Sequence, residues 1–333
     1  MRLLFWVLML LAAVWAAHWG ANQLASPLQK LRQQWGLNEA AGAAFVALAT
    51  ASPEIGTNTA SAVQGLSEIG LGNLLGSNII SVPVIVGVAY VASRTHPTDQ
   101  SPSKQFSKQK VLQLKSEALT VQAIPYLGIC LLATLLLLPK PWRGLQPIDG
   151  WIMLLVYVVY LGQAILRKRQ QRQPVRWQRQ ELIAAILGVV VLAAGAYLTV
   201  TATEKIVGIL KISQVLGGLF ITSTLSIAPE VFATWSIAKS GQITAATTGV
   251  IADNSVTMTL ALFPLAMVSL PIKDLQLFTV NLVFVITLGA FYAGFIQWGK
   301  PSYSFELKEV VALILIYIVY LVVMLFGVLR ILG

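Results

Sequence analysis

The chain carries one cysteine, two histidines and little charge: 11% of its 333 residues are Asp, Glu, Lys or Arg, against about 25% in a soluble domain. The lone thiol, Cys130, excludes an intrachain disulfide and any metal site built on several thiolates. Acids are the scarcer sign, 13 against 23 Lys and Arg. Apolar residues are abundant instead, at 56% with a mean hydropathy of +0.75. These proportions exclude an ordinary soluble globule, a disordered chain and a disulfide-stapled module. In a soluble protein the net charge of +10 would point to nucleic acid. In a membrane protein it reflects basic loops held on the cytoplasmic side, with lipid as the partner and no nucleic acid.

A spanning helix needs about 20 largely apolar residues. Ten runs qualify, at 3–19, 38–64, 71–93, 119–138, 148–166, 181–202, 213–238, 243–270, 275–297 and 307–330. The expected fold is therefore an all-α integral membrane protein with about ten transmembrane helices. The first run reads as a retained helix; a cleaved signal peptide is the other reading of Arg2 with Ala16–Ala17. Placing both termini outside leaves 16 of the 23 Lys and Arg in cytoplasmic loops, the arrangement the positive-inside rule favours. The densest basic stretch, within a linker over 167–180, reads as a topology signal between two halves. Its alternative reading is a contact with anionic lipid.

An internal repeat joins those halves, 1–166 and 181–333. Ser52-Pro53-Glu54 recurs as Ala228-Pro229-Glu230 at an offset of 176 residues. At that offset Gly42 falls on Gly218, Ala62 on Ala238, Gly65 on Gly241, Asn78 on Asn254 and Thr50 on Ser226. The motif regions run over about 42–81 and 218–257. Five spans per half put the second half in the membrane upside down, the inverted-repeat plan of secondary transporters, whose sites lie near the midplane.

The repeats contain the residues least suited to lipid. Span 38–64 is about 40 Å long at 1.5 Å per residue, which puts Glu54 inside the hydrocarbon. Glu230 holds the matching place, and Asp253 lies about three turns into the eighth span. A charge at that depth costs at least about 2.5–3.5 kcal/mol, so these acids are protonated or compensated by a cation. Pro53 and Pro229 lack N–H groups, which deprives the carbonyls of Ala49 and Leu225 of their helical donors and offers them as ligands. Thr50 and Asn58 share a helix face with Glu54; Ser226 and Thr234 do so with Glu230. The third and eighth spans add Ser77, Asn78, Ser81, Asp253, Asn254 and Thr257. All are oxygen donors, suited to hard cations such as Ca²⁺ rather than to Zn²⁺ or copper. His18 and His96 lie outside the repeats and are read as incidental. Gly72-Asn73-Leu74-Leu75-Gly76-Ser77-Asn78 lacks the Lys-Ser/Thr ending of a phosphate loop, so it reads as a close-packing segment.

Thr50 through Glu54, Gly65 and Gly72 through Ile79 resemble the first alpha-repeat of the calcium/cation antiporters, the superfamily of the sodium/calcium exchangers. Ser226 through Glu230, Gly241 and Asp253-Asn254 resemble the second. The resemblance implies ten helices in two inverted halves and alternating access around one central site. It makes Glu54 and Glu230 the Ca²⁺ ligands, with Thr50, Ser226 and Ser77 at matching hydroxyl positions. The chain departs from the family pattern at Ala51 and Ile227, where serines are frequent. Ser81 and Thr257 stand where Asn or Asp is frequent, and Asp253 stands where a serine is usual.

The expected function is a secondary antiporter in the cell (plasma or inner) membrane that exchanges Ca²⁺ for Na⁺ or H⁺, with no cofactor beyond the transported ions. An exchanger of another divalent cation and a gated cation channel are the alternatives. Nothing in the sequence suggests an enzyme: no Ser/His/Asp set, metal-binding His pair or nucleotide loop is visible. The ligand set expected is Glu54, Glu230, Asp253, Thr50, Ser226, Ser77, Asn78, Asn58, Asn254, Ser81 and Thr257, with the carbonyls of Ala49 and Leu225.

Overall fold

In lipid, backbone groups must be satisfied within their own segment, so long apolar runs become helices. The structure, a computed structural model, describes residues 1–36, 46–94, 111–114, 116, 118–139, 143–166, 174–239, 241, 243–299 and 303–329. Among these, eight helices are long and apolar enough to cross a membrane. They are α1 (Arg2–Trp35), α3 (Ser67–Arg94), α4 (Ala118–Leu137), α6 (Arg179–Leu210), α7 (Gln214–Lys239), α8 (Ile243–Met267), α9 (Leu275–Trp298) and α10 (Leu307–Val328). Two shorter helices, α2 (Ser52–Val63) and α5 (Pro147–Leu166), occupy the other two expected spans. A helical segment at 46–50 precedes α2, with a turn at Ala51 between them. Gly42, His96 and most of the 94–118 and 167–179 connections lie outside the described residues.

Two helices are longer than the sequence suggests. The first runs to Trp35, where Gly36 ends it in a left-handed conformation (φ 64°). Lys30 and Arg32, expected in a loop, are therefore helical, because polar side chains can extend a helix beyond the hydrocarbon without breaking it. The sixth runs from Arg179 to Leu210, so Lys205 is helical as well. Lys30 forms an ion pair with Glu181 that ties the end of α1 to the start of α6.

The repeat is visible in the backbone. The 176-residue offset maps the start of α3, Ser67, onto Ile243, the start of α8, and the end of α2, Val63, onto Lys239, the end of α7. The turn glycines also correspond: Gly65 and Gly241 have φ +69° and +83°, conformations that cost a residue with a Cβ about 1–2 kcal/mol. Helices α3 and α8 form the centre, with 72% and 78% of their apolar windows buried. By contrast α10 has 22% buried and presents most of its apolar surface outward.

Two short antiparallel ribbons join the halves. β1 (Val111–Gln113) pairs with β4 (Ser304–Glu306), with Leu112 opposite Phe305. β2 (Gly144–Leu145) pairs with β3 (Leu270–Pro271). The first ribbon links the α3–α4 and α9–α10 connections, six helices apart. The second links the α4–α5 and α8–α9 connections, four apart. Even separations return the chain to the same face, so each ribbon lies on one face and the two lie on opposite faces.

The glycine-rich segment of α3 packs closely against another helix, as its sequence suggests. A Cβ built on Gly72 would collide with the Val215 carbonyl and lie 2.8 Å from the Leu219 nitrogen. One built on Gly76 would collide with the Leu219 carbonyl. Backbone cannot move aside as a side-chain tip can, so these glycines set how near α7 comes to α3.

Candidate functional site

The acids meet where α2, α7 and α8 surround α3. Glu54 sits in the first turn of α2 and is 1% exposed. Neither of its carboxylate oxygens has a hydrogen-bond partner among the described residues. Ser226, one turn before Glu230 on α7, lies beside it, with its own hydroxyl donating to the Ser223 carbonyl at 3.1 Å. Asp253 is buried in α8. Thr50 Oγ1 donates to Asp253 Oδ1 at 2.8 Å and also lies 3.1 Å from the Ala47 carbonyl. Each acid lies within electrostatic reach of the other two. The ion pairs among the described residues involve none of the three, so three carboxyl groups gather here with no basic side chain paired to them. Among the described residues no three His, Cys, Asp or Glu side chains converge tightly enough to hold a metal ion alone. A cation here also needs hydroxyl, amide or carbonyl oxygen.

Two symmetric hydrogen bonds cross between the repeats. Asn78 Nδ2 on α3 donates to Thr257 Oγ1 on α8 at 3.0 Å. Ser81 Oγ on α3 donates to Asn254 Oδ1 on α8 at 3.0 Å. The repeat offset turns one bond into the other, since Asn78 matches Asn254 and Ser81 matches Thr257. The two hydroxyls that replace the family's amides or acids thus fasten the halves together. Asn78 is held on two more sides: Nδ2 donates to the Leu74 carbonyl at 2.8 Å, and Oδ1 accepts from the Tyr126 hydroxyl at 3.1 Å. Ser77 donates to the Leu74 carbonyl at 3.2 Å. Asn58 Nδ2 donates at 2.8 Å to the carbonyl of Ala261, which ends a π-helical turn over Thr257–Ala261. Such turns interrupt the regular ladder, often at functional sites.

One expected ligand needs correction. The carbonyl of Ala49 is not left open by Pro53, because the Ser52 hydroxyl donates to it at 2.7 Å. Serine can return its hydroxyl to the preceding turn, and here it replaces the N–H that proline lacks. Pro229, inside α7, still withholds its donor from the Leu225 carbonyl. Sequence reasoning did not find Tyr126 or the Ala261 carbonyl. A tyrosine in an apolar span carries no local signal of its partner, and Asn78 lies 48 residues away from it.

Thr50 is exposed and Glu230 is half-buried, whereas Glu54, Asn58, Ser226 and Asp253 are buried. Helices α2 and α7 are antiparallel by the alternation of the spans. Thr50 before Glu54 and the turns after Glu230 therefore share one side.

The fold and site describe an integral membrane protein of two matched halves with acids at their junction. The family model for sodium/calcium exchanger protein matches residues 4–166 and 181–326. The chain belongs to this family, whose members are membrane antiporters and not enzymes. A 75-residue stretch, 22% of the chain, is 35% identical to the sodium/calcium exchanger MaX1 of Methanosarcina acetivorans and covers about a fifth of its length, 21%. Among solved structures, the H⁺/Ca²⁺ exchanger CAX superposes with a TM-score of 0.73 at 14% identity, over 96% of this chain and 81% of that one. The sodium–calcium exchanger NCX_Mj soaked with Na⁺ and Sr²⁺ gives 0.66 at 18% identity, over 96% and 98%. At such identities these two likenesses concern the fold.

Proposed function

We propose that the protein exchanges Ca²⁺ for Na⁺ or H⁺ by alternating access at the junction of the repeats. The observation that carries this reading is the set of three intramembrane acids, Glu54, Glu230 and Asp253, with no basic partner. Left charged and empty, each costs at least about 2.5–3.5 kcal/mol at membrane depth. One Ca²⁺ neutralises two of them, and two monovalent ions or protons do the same. Species that compete for the same acids alternate, and the cost of an empty charged site opposes reorientation without cargo. Exchange follows from those two conditions.

In this reading Glu54 and Glu230 bind Ca²⁺, and Asp253 contributes the third carboxylate from one helical turn before the family's position, aimed by Thr50. Ser226, Ser77 and the Leu225 carbonyl supply neutral oxygen, and Asn58 lies one turn beyond Glu54. Asn78, Ser81, Asn254 and Thr257 act mainly as the clasp between repeats. Ala51 and Ile227 remove hydroxyls near the acids, and Asp253 adds a titratable one. The halves 1–166 and 181–333 act as the two repeats, joined by the basic linker at 167–180. The protein resides in the cell membrane with both termini outside, and the side that Thr50 shares with the turns after Glu230 is then the cytoplasm.

The test is ⁴⁵Ca²⁺ uptake into liposomes under an imposed Na⁺ gradient or an imposed pH gradient, with Glu54→Gln alongside. Uptake driven by either gradient and abolished in folded Glu54→Gln supports the reading. Full activity in that variant removes its central claim. Conductance without counter-transport makes the protein a channel instead.

A further inference from the structure

Beyond the central site, we infer a second cation station on the side of the α2–α3 turn, built by Asn58, Ser61 and Asn73 and fitted to a hard monovalent ion such as Na⁺. It rests on the exchange reading above. Glu54, Asn58 and Ser61 are spaced four and three residues apart, so they share one face of α2. Asn58 and Ser61 are 0% exposed, and Asn73 on α3 is 1% exposed. Asn58 Oδ1, Ser61 Oγ and both amide atoms of Asn73 lack hydrogen-bond partners among the described residues. The orientation of Asn58 is dictated by chemistry, because the Ala261 carbonyl requires the NH₂ and leaves the oxygen free. Unpaired buried polar groups cost roughly 1–3 kcal/mol each, and three of these atoms, Asn58 Oδ1, Ser61 Oγ and Asn73 Oδ1, are oxygens that a cation would satisfy.

Their depth places them together. α2 and α3 are antiparallel neighbours joined by a short turn at 64–66. Ser61 sits against Gly70, where an added Cβ would lie 3.0 Å from Ser61 Cβ and 3.1 Å from its Oγ. One turn deeper on both helices come Asn58 and Asn73, and another turn deeper come Glu54 and Ser77. Gly70 therefore leaves room at the Ser61 hydroxyl that any larger residue would fill. The second repeat has no such ladder: the offset places Thr234, Ile237, Ala246 and Gly249 at the positions of Asn58, Ser61, Gly70 and Asn73. The station thus belongs to one face, the one reached past the α2–α3 turn. Its donors are neutral apart from Glu54 at its inner end, and one carboxylate balances one positive charge. Ca²⁺ requires six to eight oxygens and more acid than this ladder holds.

The experiment measures Na⁺-driven ⁴⁵Ca²⁺ flux in liposomes sorted by protein orientation, with Na⁺ varied at each face separately. For Ser61→Ala and for Asn73→Ala the half-saturating Na⁺ concentration is expected to rise about tenfold at the α2–α3 face and to stay within twofold at the other. Thermal melting of the purified variants checks folding, and Ser61→Ala removes a single oxygen. An equal shift at both faces, or none in either variant, overturns the station. So does Ca²⁺ exchange that a pH gradient drives and Na⁺ leaves unaffected, an outcome that keeps the exchange reading intact.

Discussion

The clasp between repeats makes a differential prediction, because its two hydrogen bonds are symmetric in position but not in support. Ser81→Ala removes the donor to Asn254 Oδ1. Asn254 Nδ2 already lacks a partner among the described residues, so the variant leaves a buried amide with no hydrogen bond to any of them. That costs about 1–3 kcal/mol. Thr257→Val removes the acceptor of Asn78 Nδ2, but Asn78 keeps its bonds to Leu74 and Tyr126. Its cost is nearer the net value of one bond, about 0.5–1 kcal/mol. Unfolding entropy of about 2.1 cal/mol/K per residue gives, for 333 residues, about 0.7 kcal/mol per kelvin. Melting of purified protein in detergent should therefore drop by about 1.5–4 °C for Ser81→Ala and about 1 °C for Thr257→Val. A cycle sharpens the test: Asn254→Leu should cost less in the Ser81→Ala background than in the wild type, since replacing both partners leaves nothing unsatisfied. Equal costs for the two single variants, or a larger cost for Thr257→Val, would refute the reasoning.

Tyr126→Phe leaves Asn78 Oδ1 unpaired at a fully buried position and should lower stability by about 1–3 kcal/mol, read by the same melt. Gly72→Val drives a side chain into the Val215 carbonyl. The expected result is loss of folded protein in size-exclusion chromatography, whereas Gly128→Ala, with open space at its Cβ, should elute normally. Asp253→Asn keeps an acceptor for Thr50 but removes a charge, and it should shift the pH dependence of Ca²⁺ uptake if protons are the counter-ions. An unchanged pH profile would take Asp253 out of the coupling. Lys273 lies outside the helices and pairs with Glu68 at 2.5 Å, which raises its pKa above the ordinary lysine value. The pair therefore contributes below about pH 10.4 and is lost as pH rises through the raised value. The melting difference between wild type and Lys273→Gln should be small and should vanish above that range.

The acids were legible from the sequence because physics makes them conspicuous: a carboxylate in an apolar span is costly, and Glu54 and Glu230 share an offset with a proline before each. The matching turns were legible for a related reason, since Gly65 and Gly241 share the repeat offset and both have positive φ. Length was not legible at α1 and α6, because Lys30 and Lys205 lie where composition suggests a loop, yet both are helical and Lys30 pairs with Glu181 on the neighbouring helix. Nor was the fate of the Ala49 carbonyl, which depends on the χ1 rotamer of Ser52 rather than on residue type. The clasp was the hardest to foresee. Ser81 and Thr257 were expected as ligands at positions where the family often has Asn or Asp, and only three-dimensional structure pairs them with Asn254 and Asn78.

That exchange of roles bears on how the two halves work. A protein of two identical inverted repeats has two access states of equal energy, because each state is the other viewed from the opposite face. This chain keeps that equivalence in the clasp and breaks it around the acids. Asp253 has Ser77 as its counterpart, so the third carboxylate belongs to the second half alone. Asn58, Ser61 and Asn73 have Thr234, Ile237 and Gly249 as theirs, so neutral oxygens line one face alone. Opening the face of the α2–α3 turn hydrates amides and a hydroxyl that now lack partners, whereas opening the other face exposes Thr50 and Glu230, already accessible in this structure. Ions that satisfy Asn58, Ser61 and Asn73 shift the balance toward neither face by affinity alone; they do so only to the extent that they bind one state more tightly. Replacing Asn58, Ser61 and Asn73 with their second-repeat counterparts, Thr, Ile and Gly, should therefore bring the half-saturating Na⁺ concentrations at the two faces closer together. Face-dependent affinities unchanged from the wild type in that folded variant would show that the asymmetry resides elsewhere, with Asp253 as the remaining difference in charge.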